Sequence, residues 1–306
     1  MRSLRKHFSQ DCLGKFCSSD SLNRILSCST LNWSSPAEFN DPFDCQVRPI
    51  IPPYSNEIEL LGIEEATNVI EGKVAIYSPN SSLIAAKSQS ARIQHLERSL
   101  DVYEFYDVVN KSLRLLCGPS AAGLEMRLVD SISPEFLNLK ILCLTKAFDN
   151  LLMWSHYADQ HRGALLIFKP LQIGGDFNEA KEVQYRDSMP VILSGREMAK
   201  MVTGQITIGD DDIIERYIRE MTLIKGIDWS YELEWRIFRG VNAELQDSKV
   251  FRPFAPSELH AVVMGCRMDE NTEETLIKSF RPNYPETKWF KALRQTSRFE
   301  LGIEEL

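Results

Sequence analysis

Ten consecutive residues, Trp229-Ser230-Tyr231-Glu232-Leu233-Glu234-Trp235-Arg236-Ile237-Phe238, restrict the possible folds more than any other stretch of the chain. In a strand, successive side chains point to opposite faces. Strand geometry puts Trp229, Tyr231, Leu233, Trp235 and Ile237 on one side, which is wholly apolar and has to face a core. The other side collects Glu232, Glu234 and Arg236, with neighbours about 7 Å apart. Two readings of that polar row stand side by side. It is either a solvated outer face with an ion pair worth about 0–1 kcal/mol, or a site in which Arg236 orients one glutamate while the other acts on a ligand. The aromatic density of the opposite face would hold such a site rigidly.

A half-apolar strand needs a sheet to join. Leu139–Leu144, Ala164–Phe168 and Leu259–Met264 are short apolar runs that predict further strands. Between them lie segments with apolar residues at helical spacing. The longest runs over 88–117, with Ile93, Leu96, Leu100, Val102, Tyr103 and Tyr106 in register. Asn150 is placed to cap a helix from Leu151 to about Arg162, with Gly163 as its stop. The pattern predicts an α+β fold: one mixed or antiparallel sheet interrupted by helices. It spans residues 1–306 as a single domain, with a mainly helical insertion at about 57–137.

Composition admits such a core, with 43% hydrophobic and 25% charged residues. The formal charge of −8 argues against an extended nucleic-acid surface, which needs a basic face. The seven cysteines form no C-x-x-C pair, so they read as buried small hydrophobes in a reducing compartment, and no metal site is expected. Arg2, Arg5 and Lys6 are followed by no continuous apolar stretch, and no window approaches the ~20 apolar residues of a membrane span. The expectation is a cytoplasmic protein without a membrane partner.

Two further motifs carry polar groups. In Met153-Trp154-Ser155-His156-Tyr157-Ala158-Asp159-Gln160-His161-Arg162-Gly163, a helix puts His156 beside Asp159 and Gln160, while Met153, Trp154 and Tyr157 share a packing face. His156 is either a satisfied helical histidine or a ligand contact, its tautomer fixed by Asp159. In Phe39-Asn40-Asp41-Pro42-Phe43-Asp44, Asn-Asp-Pro is turn chemistry. It accounts for Asn40 and Pro42 but leaves Asp41 and Asp44 as candidates for a pocket mouth.

These three motifs, in this order, resemble a widespread, mostly bacterial family of unknown function marked by F-N-D-P-F-D, M-W-x-H-Y-A-x-x-x-x-G and W-x-x-E-x-E-W-R. From Lys15 to the Val262-Val263-Met264-Gly265 strand the resemblance covers nearly the whole chain. The order of elements is also similar to the ADP-ribosyltransferase superfamily. There an early-strand His or Arg, a central Ser, Thr or Tyr and a late E-x-E hold NAD⁺. Glu232-Leu233-Glu234 stands at the place of the late acids and Thr145 at the central place. Lys15 stands where Arg or His is usual.

That second resemblance implies NAD⁺ as substrate, with a nucleotide and an acceptor as partners. Glu234, Glu232 and His156 would be catalytic, and Lys15, Asn40, Asp41, Thr145, Tyr157 and Arg236 would bind substrate. Glu234 would stabilise the developing cation, Glu232 would position the acceptor, and Arg236 or His156 would meet the pyrophosphate. A role in bacterial defence or stress goes with the family association. The alternatives are a divalent-metal nuclease built on Asp41, Asp44, Glu232 and Glu234, and a non-catalytic sensor or interaction module whose motifs only hold the fold.

Overall fold

The apolar runs do become strands, and they align in a single large sheet. The computed structural model describes residues 2–4, 7–45, 52–77, 83–117, 139–170, 175–207, 210–240 and 249–306. In chain order, β1 (Arg2–Ser3), β2 (Leu13–Cys17), α1 (Ser19–Cys28) and β3 (Thr30–Ser34) precede α2 (Asn56–Ile70), α3 (Leu83–Leu96) and α4 (Val102–Leu116). Then come β4 (Leu139–Thr145), α5 (Leu151–Tyr157), β5 (Ala164–Phe168), β6 (Lys181–Glu182) and β7 (Gln184–Arg186). After α6 (Gly195–Val202) and α7 (Asp211–Leu223) lie β8 (Ile224–Gly226), β9 (Glu234–Gly240) and β10 (Lys249–Pro253). β11 (Leu259–Met264), α8 (Glu270–Phe280), β12 (Lys288–Arg294) and β13 (Leu301–Glu305) follow.

The main sheet has 11 strands among the described residues, in the order β1-β13-β12-β11-β5-β2-β4-β3-β10, with β9 beside β4 and β6 beside β9. Its pairings are antiparallel except for β11 with β12. Strand β4 is the junction. It pairs with β9 along its whole length, Leu139↔Gly240 to Thr145↔Glu234, but meets β2 only at Gly14↔Thr145 and β3 only at Ser34↔Ile141. The fold is therefore α+β, with a mixed, mostly antiparallel sheet and helices between its strands. No helix among the described residues is long and apolar enough to cross a membrane.

Contacts gather the chain into two compact units. One comprises Met1–Cys45, Leu137–Asp187 and Leu223–Leu306, and the other Gln46–Phe136 and Ser188–Thr222. The sheet belongs to the first, and both of its faces are covered, as strand alternation shows. Along β5, Leu166 and Phe168 join Leu22, Leu26, Trp33 and Trp289 in one core, while Leu165 and Ile167 join Phe16, Trp154 and Phe290 in the other. Helices α1 and α8 supply the first core and α5 the second.

The helices expected at about 57–137 fall in the second unit, as α2, α3 and α4, with residues 118–136 of that stretch lying outside the described residues. Residues 188–222, carrying α6, pack with them around Ile58, Val109, Leu113, Met198 and Tyr217. Where the spacing predicts one helix over 88–117, the chain breaks. Arg98 adopts φ 58° and Asp101 caps α4 by accepting from the Tyr103 and Glu104 N–H groups. An aspartate inside a periodic run thus starts a new helix. Leu96 and Tyr103, assigned to the apolar stripe, are exposed. Asn150 caps α5 as expected, accepting from Leu152 and Met153 N–H groups at 2.9 and 3.3 Å. Of the cysteines read as buried, Cys28 is exposed.

Gly163 follows α5, and the backbone there touches β2. A Cβ at Gly163 would stand 2.0 Å from the Cys17 carbonyl oxygen, whereas one at Gly240 would meet nothing within 4 Å among the described residues. Backbone cannot yield as a side chain does. Gly163→Ala should therefore lower the unfolding free energy by about 3 kcal/mol or more, with Gly240→Ala within about 0.5 kcal/mol of wild type. Urea unfolding of the two variants checks this.

Candidate functional site

The site is built around a guanidinium that no water reaches. Arg236 on β9 is 0% exposed, opposite Cys143 on β4. A guanidinium offers five donors in a planar fork. The Nε and Nη2 groups of Arg236 donate to Glu234 Oε1 and Oε2 at 2.8 and 2.9 Å. The Nη1 and Nη2 groups donate to Asp44 Oδ1 and Oδ2 at 2.8 and 2.6 Å. The Phe39 ring lies 5.3 Å from the guanidinium carbon. A second buried cation completes the cluster. Lys225 Nζ on β8 donates to Glu232 Oε2 at 2.6 Å and Glu234 Oε2 at 3.1 Å, and stands 3.4 Å from Asp44 Oδ2. The Tyr157 hydroxyl donates to Glu232 Oε1 at 2.6 Å, so both Glu232 oxygens are accepting.

Local backbone chemistry aims each acid. In the Phe39–Asp44 motif, Asp41 Oδ1 accepts the Phe43 N–H at 2.9 Å, and the Asp44 N–H donates to the Asp41 carbonyl at 3.1 Å. This Asx turn swings Phe43 out, 63% exposed, and Asp44 in, 3% exposed. Asp41 is thus buried as a turn-former. The predicted strand over the W-S-Y-E-L-E-W-R segment begins only at Glu234. Residues Ile227–Glu232 form a 3₁₀ turn, and Leu233 takes a left-handed φ of 44°. The alternation persists across the turn: Glu232, Glu234 and Arg236 are buried, and Leu233 between the two glutamates is exposed. The polar row is thus buried, while on the expected apolar side Ile237 lies in a core with Trp235 packed against it and Leu233 is exposed. Thr145 donates from Oγ1 to the Glu232 carbonyl and accepts the Ala147 N–H at 2.8 Å. It holds the turn in place.

Burial works to raise the Glu234 carboxyl, but the charge and hydrogen bonds of Arg236, with Lys225 behind them, hold it down at about 2. Burial works to lower Lys225, and Glu234, Asp44 and Glu232 outweigh it and keep the ammonium charged. Burial, then the hydrogen bond to Glu232, pushes the Tyr157 hydroxyl up. Burial likewise lifts Tyr185, whose oxygen accepts the Glu234 N–H at 2.8 Å, to about 12.

A cavity of about 360 Å³ opens on this cluster. Glu232, Glu234, Asp44 and Lys225 line it, together with Lys15, Thr145, Tyr157 and Asn40 among the expected residues. Lys15 Nζ donates to the Cys143 carbonyl at 2.9 Å. Three of the nine candidate residues lie off the cavity lining. Arg236 sits behind the wall, Asp41 serves its turn, and His156 is exposed. The helix α5 ends at Tyr157, and Asp159 beyond it takes φ 46°. The expected one-turn pairing of His156 with Asp159 therefore has no helix to carry it, whereas Met153, Trp154 and Tyr157 share a packing face as expected. Sequence reasoning missed Lys225. Its signal was available, since a lone lysine in Leu223-Ile224-Lys225-Gly226-Ile227 is buried only when paired.

Removing one member of such a cluster strands the others. Arg236→Ala should cost about 3–5 kcal/mol of stability, read by denaturant unfolding with circular dichroism confirming what remains folded. The pH dependence follows from Glu234, whose folded value near 2 lies below its ordinary 4.5. The unfolded chain then binds the extra proton, so this contribution is complete above about 4.5 and is lost as pH falls toward 2. Unfolding midpoints between pH 5 and 2 should fall more steeply for wild type than for Glu234→Gln.

Residues 153–237 match the model of a family described as a protein of unknown function (DUF2971). No curated protein and no solved structure matches the chain. The matched span holds Tyr157, Lys225, Glu232, Glu234 and Arg236, so most of the buried cluster falls within the part of this chain that is similar to an uncharacterised family.

Proposed function

We propose that the cavity binds the nicotinamide-ribose end of NAD⁺ and that the protein cleaves the bond between them, passing ADP-ribose to an acceptor or to water. The observation that carries this reading is that Lys15, Thr145 and Glu234, from three neighbouring strands, line one cavity. Gly14↔Thr145 and Thr145↔Glu234 are registered pairs, so Thr145 and Glu234 stand level where β2 and β4 touch, and Lys15 is the next residue along β2. The cavity volume lies within the ~300–1,000 Å³ of small-molecule pockets.

The chemistry suits the cluster. As the C–N bond breaks, its electron pair leaves with the nicotinamide nitrogen and positive charge builds on the ribose. A carboxylate already anionic and fixed in place stabilises that charge without reorganising. Glu234 meets this requirement, since Arg236 and Lys225 hold it ionised. Glu232, steadied by Tyr157 and Lys225, faces the same cavity and positions the acceptor. The pyrophosphate contact passes from Arg236 and His156, which do not line the cavity, to Lys15. A metal-dependent nuclease needs carboxylate oxygens open to a cation. Those of Asp44 and Glu234 already receive Arg236 and Lys225.

The test is nicotinamide release from NAD⁺ by the purified protein, with cell extract as acceptor source. Wild type should release nicotinamide, and Glu234→Gln should lose on the order of 10²–10³ in rate. Glu232→Gln should impair transfer more than hydrolysis. Melting temperatures separate lost chemistry from lost fold, and release no faster than buffer by folded wild type would sink the reading.

A further inference from the structure

A second cavity in the same unit has the opposite electrostatic character. Its volume is about 550 Å³, and its lining includes Arg267, Arg294 and Arg298, with Glu300 as the one carboxylate. In a chain of net charge −8, three guanidinium groups on one cavity are a local reversal of sign. None of the three makes an ion pair among the described residues. Arg267 donates from Nη1 only to the Gln160 carbonyl, at 3.4 Å. Three arginines with a single carboxylate around a concave surface repel one another, and an anion relieves that repulsion.

The position of the cavity follows from topology. β11 and β12 run parallel, so their carboxyl ends open at the same edge of the sheet. Arg267 follows β11, and Arg294 ends β12 opposite Leu301. Arg298 and Phe299 lie in the connection from β12 to β13. The carboxyl edge of parallel strands, where connections diverge, is a usual place for ligands. The third wall is the segment after α5, in which Asp159, Gln160 and His161 are all left-handed, with φ of 46°, 52° and 68°. Each such residue costs about 1–2 kcal/mol. Backbone bonds hold them: His161 N–H to the Trp154 carbonyl at 3.1 Å and Arg267 N–H to the His161 carbonyl at 3.0 Å. His161 Nδ1 is buried with no hydrogen-bond partner among the described residues. Phe299 is 97% exposed, an aromatic ring left in water at the rim of a cationic cavity.

We propose that this cavity binds a nucleotide diphosphate, its phosphates held by Arg267, Arg294 and Arg298 and its base stacked on Phe299. Guanidinium forks match phosphate oxygens bidentately, and three permanent positive charges balance a diphosphate. The exposed ring offers the planar face that a base requires. The unpartnered His161 nitrogen supplies one further polar contact. This site shares no lining residue with the acid-walled cavity and stands whether or not NAD⁺ is cleaved there.

Isothermal titration of the full chain with ADP, adenosine and inorganic pyrophosphate tests it. ADP should bind saturably and more weakly as salt rises. Arg294→Ala and Arg298→Ala should each weaken ADP about tenfold or more. Phe299→Ala should weaken ADP while leaving pyrophosphate unchanged. Arg294, Arg298 and Phe299 are all exposed, so unchanged melting temperatures will show that the fold survives. Absence of ADP binding, ADP binding indifferent to both arginine changes, or pyrophosphate binding as tightly as ADP would each overturn the assignment.

Discussion

Taking a guanidinium and an ammonium out of water costs several kcal/mol each, and only close, well-directed carboxylates recover it. Arg236 and Lys225 meet that demand with three acids drawn from two stretches of chain. Asp44 lies 192 residues before Arg236, while Glu232 and Glu234 flank the residue that turns left-handed. The β4–β9 register, the Asx turn after Phe39, the short strand that carries Lys225 and the last turn of α5 must all be right at once for the forks to close. Such a cluster is weak evidence of net stability. What it does dictate is placement, because any other arrangement leaves a charge buried without a partner.

That placement has a chemical consequence. A carboxylate on the wall of a cavity ordinarily gains a proton as it loses water. Here Arg236 behind the wall and Lys225 on it prevent this, and Glu234 keeps its negative charge at the cavity. The same first unit carries an arginine-lined cavity whose three guanidinium groups make no ion pair among the described residues. One cavity is neutralised from within and the other is not.

Much of the fold was legible because strand and helix periods are local properties. The apolar runs at β4, β5 and β11 became strands buried on both faces, and Asn150 capped the helix it was expected to cap. The turn chemistry of Asn40-Asp41-Pro42 also formed where the residue types require it. The break between α3 and α4 was not legible from apolar spacing. Leu96, Leu100 and Tyr103 keep helical intervals across it, and only the capping power of Asp101 marks the division.

The candidate site was legible in part. Residue types alone determined that two glutamates and an arginine would lie within a few residues of one another, and that a rigid aromatic segment would carry them. Tertiary structure decided which side of that segment is buried. A positive φ at Leu233 has no signature in residue type, and the strand begins only after it. Tertiary structure also decided which distant groups complete the cluster, since Asp44, Lys225 and Tyr157 are neighbours of Glu234 and Glu232 only after β2, β4 and β9 pair. His156, prominent in its motif, is exposed on α5, whose buried residues are Met153 and Trp154. Local sequence sets the periodicity and the caps. Only long-range pairing settles which faces are covered, and so which charges must find one another.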